Sequence, residues 1–349
     1  GIPLPEVEIQ FDLRGKSAGV VRFPNVGNPI IRYNRLLLSE NRETFLALGS
    51  PPEEPGSFHM TACAIDEALR RVIAVGGDCD HVGGVDNFCW PNIQYHPEKN
   101  PDGKFKAAQL VRACRALRDV CLAYGIPLLS GKDSMYVDGN LAGRYGISHK
   151  VSAPETIQLS AISRVPDIAH CTTMDIKVPG DLVYLLGITR DELGGSEYYE
   201  HLGYVGRQVP EVRPETFQPL YRCLQTAIAD SLTASVRGIY RGGLAVHAAL
   251  AALAGGLGLS LDLAKVPLEE ALRDDKVLFS ESAGRFLVTV APDRRQAFEA
   301  AFDGHAVGCI GAVTEAPRMV IRGTRGEPLV DLALDDLKTA WKAPFGDLV

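Results

Sequence analysis

The sequence predicts a mixed α/β and α+β chain that is divided into two domains. Its 349 residues are enough for two ordinary domains, each with a core of its own. The content of 46% hydrophobic and 23% charged residues is typical of a globular protein. Along the first half the patterns run helix, loop, helix, strand and glycine loop, an order that α/β and α+β proteins share.

Composition argues against several classes of function. The net charge of −7, with no basic cluster interleaved with aromatics, argues against a nucleic-acid partner. No apolar run approaches the roughly 20 residues that span a bilayer. The eight cysteines form no Cys-x-x-Cys pair, so neither a zinc knuckle nor a redox motif is predicted. We therefore expect a reduced, cytoplasmic protein.

Residues 1–57 are predicted to form a linker and entry strands, with 19–23 and 29–33 as the candidate strands. The first domain is predicted at 58–168 and the second at 177–349. A proline-flanked connector separates them.

Apolar residues recur at helical spacing over 60–75 and again over 107–124. Gly125 stands where a left-handed residue ends a helix. The apolar run 126–129 predicts a buried strand that opens into a glycine loop, and 157–163 predicts a further strand. In the second domain we expect strands at 182–187 and 286–290 and helices at 217–228, 245–253 and 294–302.

The glycine loop at 130–134, Ser-Gly-Lys-Asp-Ser, combines a cation, a carboxylate and hydroxyls with flexible backbone. Such a loop suits a phosphate or a metal–phosphate complex. It is not a Walker A loop, because Ile126 replaces the first glycine and Asp133 replaces the Ser or Thr. An ordinary charged turn is the alternative.

Residues 83–90 gather Asp86, Asn87 and two aromatics, Phe88 and Trp90, after a Gly-Gly turn. An aspartate there suits a ribose hydroxyl, an adenine amino group or a metal, and the aromatics favour a cleft. The alternative is an Asx turn.

Three further positions admit both a functional and a structural explanation. The glycine turn 192–197 is flanked by acids, and helix capping by Ser196 explains it nearly as well. The segment 278–286 brings together hydroxyls, Glu281 and Arg285, for which an ion pair at the strand entry is the alternative. Glu67 suits Mg²⁺, or a salt bridge to residues three or four positions later in its helix.

Together these segments resemble the phosphoribosylformylglycinamidine synthase family, and most specifically the C-terminal half of its synthetase subunit. The matching segments follow the family's order between residues 18 and 345. They are 64–68 (AIDEA), 73–78 (IAVGGD), 85–90 (VDNFCW), 130–135 (SGKDSM), 192–197 (ELGGSE), 242–246 (GGLAV) and 279–282 (FSES).

The resemblance implies the aminoimidazole ribonucleotide synthetase-like fold, in which an N-terminal sheet domain pairs with another copy into a barrel-like dimer beside a C-terminal α+β domain. This chain would be the second of two tandem modules. The family converts formylglycinamide ribonucleotide, ATP and ammonia to the amidine, with Mg²⁺, through a phosphorylated amide oxygen. The implied partners are the first module, a glutaminase subunit or domain that delivers ammonia, and a small accessory subunit.

Residue by residue, the resemblance implies nucleotide contacts for Asp86, Gly131 and Lys132. It implies a substrate contact for Ser134. Lys132 stands where some members place a magnesium-binding asparagine. Glu67 corresponds to a magnesium ligand of an auxiliary nucleotide site.

That auxiliary site departs from the family pattern at three positions. Gly238 replaces a metal-binding aspartate, Arg241 replaces an acid, and Arg71 replaces an asparagine. Most of the oxygen ligands of Mg²⁺ are thereby lost. Either the arginines neutralise phosphate without metal, or the chain's own side chains fill the site.

The general base of the family lies in the first module, so no catalytic residue is assigned here and the chain is expected to be inactive alone. The alternatives are a structural module with a decayed site and a stand-alone cyclo-ligase or selenophosphate synthetase relative. The isolated module is expected to form a two-fold homodimer through its sheet domain.

Overall fold

The computed structural model describes residues 8–11, 18–24, 56–142, 146 and 148–348. Their helices are α1 (Ser57–Ile73), α2 (Gly103–Tyr124), α3 (Glu197–His201), α4 (Pro214–Ala229), α5 (Gly243–Gly255), α6 (Asp274–Phe279), α7 (Arg295–Ala301) and α8 (Leu334–Lys342). Their strands are β1 (Glu8–Phe11), β2 (Ala18–Pro24), β3 (Val82–Cys89), β4 (Leu128–Ser134), β5 (Asp138–Ala142), β6 (Ser148–Ser152), β7 (Thr156–Val165), β8 (Leu182–Leu186), β9 (Ser235–Gly238), β10 (Gly258–Asp262), β11 (Phe286–Val290), β12 (Val307–Thr314), β13 (Arg318–Arg322) and β14 (Pro328–Ala333). This mixed architecture confirms the predicted fold class, and the described strands of the single chain form no closed barrel.

The first sheet has five strands in the order β1-β2-β7-β3-β4, and only the β3–β4 pair is parallel. Buried and half-buried residues alternate along β3 and nearly throughout β7, so one face of the sheet packs on α1 and α2 while the other stays open. The candidate strand 19–23 is confirmed within β2, and the candidate 29–33 lies outside the described residues.

The second sheet has seven strands in the order β14-β13-β10-β12-β8-β11-β9. Strands β8 and β11 lie inside it and are almost wholly buried, which explains their continuous apolar sequences. One face packs on α4 and α7, and the other on α5, α6 and α8. The elements expected in this half are confirmed, with differences of a few residues at their ends.

The helix predicted at 107–124 is confirmed as α2, and Gly125 ends it with a φ of 72°. The strand that follows was predicted wrongly. β4 continues through the glycine segment to Ser134, and it lies at the edge of the sheet with Leu128 and Leu129 exposed. Residues 130–134 therefore form an exposed edge strand instead of a loop.

No helix in the described part of the chain is long and apolar enough to cross a membrane.

Asp66 on α1 links the two sheet units through a carboxylate that is fully buried. It accepts hydrogen bonds from the Tyr124 hydroxyl at 2.8 Å, the Tyr221 hydroxyl at 2.5 Å and Arg70 Nε at 2.6 Å. Arg70 in turn donates to the carbonyl oxygen of Ile239 at 2.6 Å. One buried charge pair therefore holds α1, α2, α4 and the end of β9 together. Each charge has a partner, as burial requires.

We predict that Asp66→Asn lowers the free energy of unfolding by about 3–5 kcal/mol, because the Arg70 guanidinium would remain buried without its counter-ion. Tyr124→Phe removes one hydrogen bond to a charged group and should cost about 1.5–3 kcal/mol. Urea denaturation measures both changes. Asp119→Asn, at an exposed position on α2, is the control and should change stability by less than about 0.5 kcal/mol. Equal losses of unfolding free energy in Asp66→Asn and Asp119→Asn would contradict the role of Asp66 as the buried partner of Arg70.

Candidate functional site

The parallel pairing of β3 with β4 places Asp86 directly opposite Gly131. A Cβ atom at position 131 would lie 2.8 Å from one carboxylate oxygen of Asp86 and 3.0 Å from the other. Glycine at 131 therefore lets the Asp86 carboxylate lie against the backbone of β4, and a side chain there would have to displace it. The two residues that the family resemblance linked to nucleotide are thus neighbours in the structure.

Lys132 and Ser134 lie on the other face of the same strand. Register pairs Asn87 with Lys132 and Cys89 with Ser134, and these side chains belong to the open face. Lys132 Nζ lies 3.2 Å from Ser134 Oγ. The predicted set is thus divided, with Asp86 on the side of the helices and Lys132 and Ser134 on the open side.

Asp133 shares the helix-facing side with Asp86, since it pairs in register with Phe88. Burial, and further the charge of Asp133, raise the pKa of the Asp86 carboxyl. Sequence reasoning did not single out Asp133 as a partner of Asp86. The alternation of a strand through 130–134 would have indicated it, but the glycine suggested a loop.

The two aromatics beside Asp86 form part of the hydrophobic core and do not line a cleft. Phe88 is buried, and Trp90 is fully buried with its indole Nε1 donating to the carbonyl of Lys106 at 3.0 Å. The expectation of a turn at 83–90 is also wrong, because these residues form β3 and its end. Neither an aromatic cleft nor an Asx turn exists at this position.

A second candidate site lies between α1 and the turns before α5 and β11. It is a small pocket of about 20 Å³ that is partly open to solvent. Its lining residues are Cys63, Glu67, Arg70, Pro210, Tyr240, Arg241, Glu281 and Ala283. Two of the residues assigned to the degenerate auxiliary site, Glu67 and Arg241, thus share one pocket.

Mg²⁺ does not fit this pocket as it is built. Arg71 donates to the same carboxylate oxygen of Glu67 from Nε at 3.1 Å and from Nη2 at 2.6 Å. Arg241 donates from Nη2 to Glu197, and Gly238 offers no side-chain ligand. A salt bridge therefore occupies one oxygen of the carboxylate that was assigned to the metal, as the structural alternative for Glu67 predicted.

Among the described residues, the one cluster of three close metal-type ligands lies elsewhere, at Asp78, Cys79 and Asp80. Hydrogen-bond donors already surround the Asp78 carboxylate. It contacts His81 Nδ1 at 2.6 Å, and Arg164 and Gln225 each donate to it at 3.3 Å. Burial alone would raise the pKa of Asp78, but hydrogen bonds from the Asp80 backbone N–H, His81 and Gln225 lower it without a metal ion.

Glu281 joins the two glycine turns that border the pocket. Its Oε1 accepts the backbone N–H of Gly242 at 2.8 Å and that of Glu197 at 3.0 Å. The other oxygen, Oε2, is buried and has no hydrogen-bond partner within the described residues. Burial raises the pKa of Glu281 to about 7.

Arg285 does not form the ion pair with Glu281 that the sequence suggested as an alternative. Its guanidinium is fully buried and donates to the carbonyl oxygens of Ser282 at 3.0 Å and Ser280 at 2.5 Å, and to Thr189 Oγ1 at 2.9 Å. Burial lowers the pKa of Arg285 to about 9.

Ser196 caps α3 by accepting the N–H of Tyr199 at 3.2 Å, so the capping explanation of the turn 192–197 is confirmed.

We predict that Glu281 makes the chain less stable as pH rises from about 4.5 to about 7. The folded state binds the Glu281 proton more tightly than the unfolded state, whose pKa is near 4.5, so stability is lost through this interval and is level above it. The total change is up to about 3 kcal/mol. Urea denaturation of Glu281→Gln at pH 5 and pH 8 should show a smaller difference than the native chain. Glu315→Gln, on an exposed turn, is the control, and an unchanged difference in Glu281→Gln would contradict the assignment.

Comparison with known proteins agrees with the motif order. Residues 178–324 match the model of the AIR synthase related protein, C-terminal domain. The chain is 28% identical over 335 residues to phosphoribosylformylglycinamidine synthase subunit PurL of Thermococcus sibiricus, a match that covers 96% of this chain and 43% of that protein. The chain thus spans less than half the length of this relative.

Solved structures show the same fold. The PurL of Thermotoga maritima complexed with FGAR aligns with a TM-score of 0.69 at 16% identity, over 96% of this chain and 48% of that one. Escherichia coli HypE, a hydrogenase maturation protein, aligns with a TM-score of 0.55 at 19% identity, over 78% of this chain and 79% of its own. The predicted resemblance is confirmed: residues 178–324 match the AIR synthase related protein, C-terminal domain, and the chain is similar along 96% of its length to a phosphoribosylformylglycinamidine synthase subunit PurL.

Proposed function

We propose that this chain is the second module of an ATP-dependent phosphoribosylformylglycinamidine synthase and is inactive without the first module. The supporting observation is the match to a PurL subunit along 96% of this chain but only 43% of the relative, with the family's motifs in order. The proposed division follows the two sheet units, with a sheet domain at 58–168 and an α+β domain at 177–349. Strand β2 pairs with β7 and so adds part of the entry segment 1–57 to the first sheet.

In this proposal the open face of β3 and β4 contributes to an active site that the first module completes. Lys132 and Ser134 project from this face with exposed or half-exposed side chains. Asn87, paired with Lys132, has a buried Oδ1 atom without a partner within the described residues. A cation, a hydroxyl and an amide in one strand pair suit a phosphorylated ligand.

The proposed reaction transfers the terminal phosphoryl group of ATP to the amide oxygen of formylglycinamide ribonucleotide and releases ADP. Ammonia then attacks the amide carbon, and phosphate leaves to give the amidine. Lys132 would balance negative charge on the transferred phosphoryl group, and Ser134 would orient the substrate. The resemblance also assigns nucleotide contacts to Asp86 and Gly131, and Asp86 lies on the helix-facing side of the same strand pair. Thermotoga maritima PurL structures complexed with ATP, ADP and AMPPCP support ATP as the nucleotide.

The proposed partners are the first synthetase module, a glutaminase subunit or domain and a small accessory subunit. A Thermotoga maritima PurLQS structure supports an assembly of this kind. The open face of the first sheet is the surface that we propose for pairing with the first module. In its absence we propose that two copies of this chain pair there, and that the protein works in the cytoplasm.

A second candidate function, a structural module with a decayed nucleotide site, is favoured by one observation. Arg71 and Arg241 form ion pairs with the carboxylates of Glu67 and Glu197, respectively, in and beside the second pocket. The two candidates are compatible, because one concerns the β3–β4 face and the other concerns this pocket. Magnesium is therefore proposed with ATP at the β3–β4 site and not at Glu67.

We predict that Lys132→Gln lowers kcat/KM of the assembled two-module enzyme about 10–1,000-fold, because it removes a cation from the developing phosphoryl charge. Lys132→Arg should retain part of the activity. Steady-state release of ADP measures the effect. Lys104→Gln on α2, whose side chain lies over the Tyr95 ring, is the matched control and should stay within about twofold. Full activity of Lys132→Gln would reject the proposed site.

A further inference from the structure

Tyr240 lies in the wall of the second pocket and is almost completely buried. Three guanidinium groups surround its ring, with Arg70 Cζ at 4.7 Å from the centroid, Arg71 at 4.8 Å and Arg237 at 5.7 Å. All three distances are within the range in which a cation is attracted to an aromatic face. Two of these arginines belong to α1 and the third to β9, so one ring connects both sheet units.

The position of the Tyr240 ring also explains why residue 238 is a glycine. A Cβ atom at position 238 would overlap the hydroxyl and the adjoining ring carbons of Tyr240. Gly238 does not have a positive φ, so the requirement for glycine is one of space and not of backbone conformation. Gly238 and Tyr240 are therefore a matched pair in which the absence of one side chain makes room for the other.

Each of the three arginines around the Tyr240 ring also has a hydrogen-bonding partner that holds its guanidinium in place. Asp66 and Glu67 pair with Arg70 and Arg71. Arg237 donates from Nε to His247 Nδ1 at 3.1 Å, and the His247 ring meets the Tyr240 ring edge-on at 5.2 Å. Burial, reinforced by the nearby arginines, lowers the pKa of His247 well below its usual range, so the imidazole is neutral and accepts this hydrogen bond.

We propose that Tyr240 is a permanent part of the wall of the second pocket, and that its ring fills the space above Gly238 and joins α1 to β9 without a bound ligand. The pocket is thereby a permanent joint between the two sheet units instead of a site that opens and closes with nucleotide. This inference does not depend on the proposed ligase function. Ligase activity is measured by the release of ADP, whereas this joint is tested by Tm and by the alkylation rate of Cys63.

A double-mutant cycle at positions 238 and 240 tests the matched pair. Gly238→Ala should lower Tm by roughly 2–8 °C in the native chain, because the added methyl group overlaps the Tyr240 ring. In the Tyr240→Ala background the same change should shift Tm by less than about 2 °C, because the obstructing ring is gone. An equal cost of Gly238→Ala in both backgrounds would overturn the proposal.

Two conservative variants test the role of the ring if Tyr240→Ala does not fold. Tyr240→Phe retains the aromatic face and should hold Tm within about 2 °C of the native value. Tyr240→Leu fills space but has no aromatic face, and it should lower Tm by roughly 3 °C or more. Native stability in Tyr240→Leu, or equal losses in both variants, would show that the arginine–ring contacts do not hold the joint.

The thiol of Cys63 reports whether the ring closes the pocket, since Cys63 is half-buried in the same wall. Alkylation by iodoacetamide, resolved by peptide mass spectrometry, should be severalfold faster at Cys63 in Tyr240→Leu than in Tyr240→Phe, because the smaller side chain leaves the thiol more accessible. Cys121, a buried residue of α2, is the internal control for general unfolding and should be unchanged. Identical Cys63 rates in the two variants would contradict closure by the ring.

Discussion

The buried carboxylate of Asp66 is the constraint on which the rest of the structure depends. It gathers two tyrosine hydroxyls and one guanidinium from three helices, and Arg70 extends the connection to the backbone of β9. Such an arrangement is stable only when every member is present, because a buried charge without its partner is costly. The helix that supports the first sheet is thereby fixed against the second sheet unit. Both candidate sites depend on the position of this helix.

The two candidate sites differ in what they can bind. At the edge of the first sheet, Asp86 lies against Gly131 while Lys132 and Ser134 face the open side, where a second module has room to add contacts. At the second pocket, arginines pair with Glu67 and Glu197, and an aromatic ring fills the space over Gly238. The first site is exposed, whereas two of the carboxylates in and beside the second pocket are already paired with arginines.

Periodicity predicted the long helices and the buried strands, because their apolar residues report directly on the core. The helix at 103–124 and its terminal Gly125 are examples. The glycine-containing strands were predicted as loops. Gly83 and Gly131 lie in paired strands, where the side chains of Leu129 and Asp86 take the space beside them. Such approaches between residues far apart in sequence leave no local signal, and glycine alone suggests a turn.

The candidate residues were predictable as a set, but their arrangement was not. Motif order brought out Asp86, Gly131, Lys132 and Ser134, and only the strand register shows that they divide between two faces. The sequence did not distinguish Asp66 from Glu67, because the two carboxylates are adjacent on one helix. In the structure Asp66 is fully buried, whereas Glu67 lies at the edge of the second pocket. The replacements at 71, 238 and 241 were visible in the sequence. That Arg71 pairs with Glu67 and Arg241 with Glu197 is seen only in the structure.

The most direct test of this account is calorimetric titration of AMPPCP, with and without Mg²⁺, into this chain alone and into this chain mixed with a first synthetase module of a PurL-type relative. We predict no Mg²⁺-dependent binding by the chain alone, because arginines already pair with Glu67 and Glu197 and because the proposed β3–β4 site needs contacts from the first module. We predict Mg²⁺-dependent binding once the first module is added. Tight, Mg²⁺-dependent binding by the chain alone, abolished by Glu67→Gln, would contradict this account.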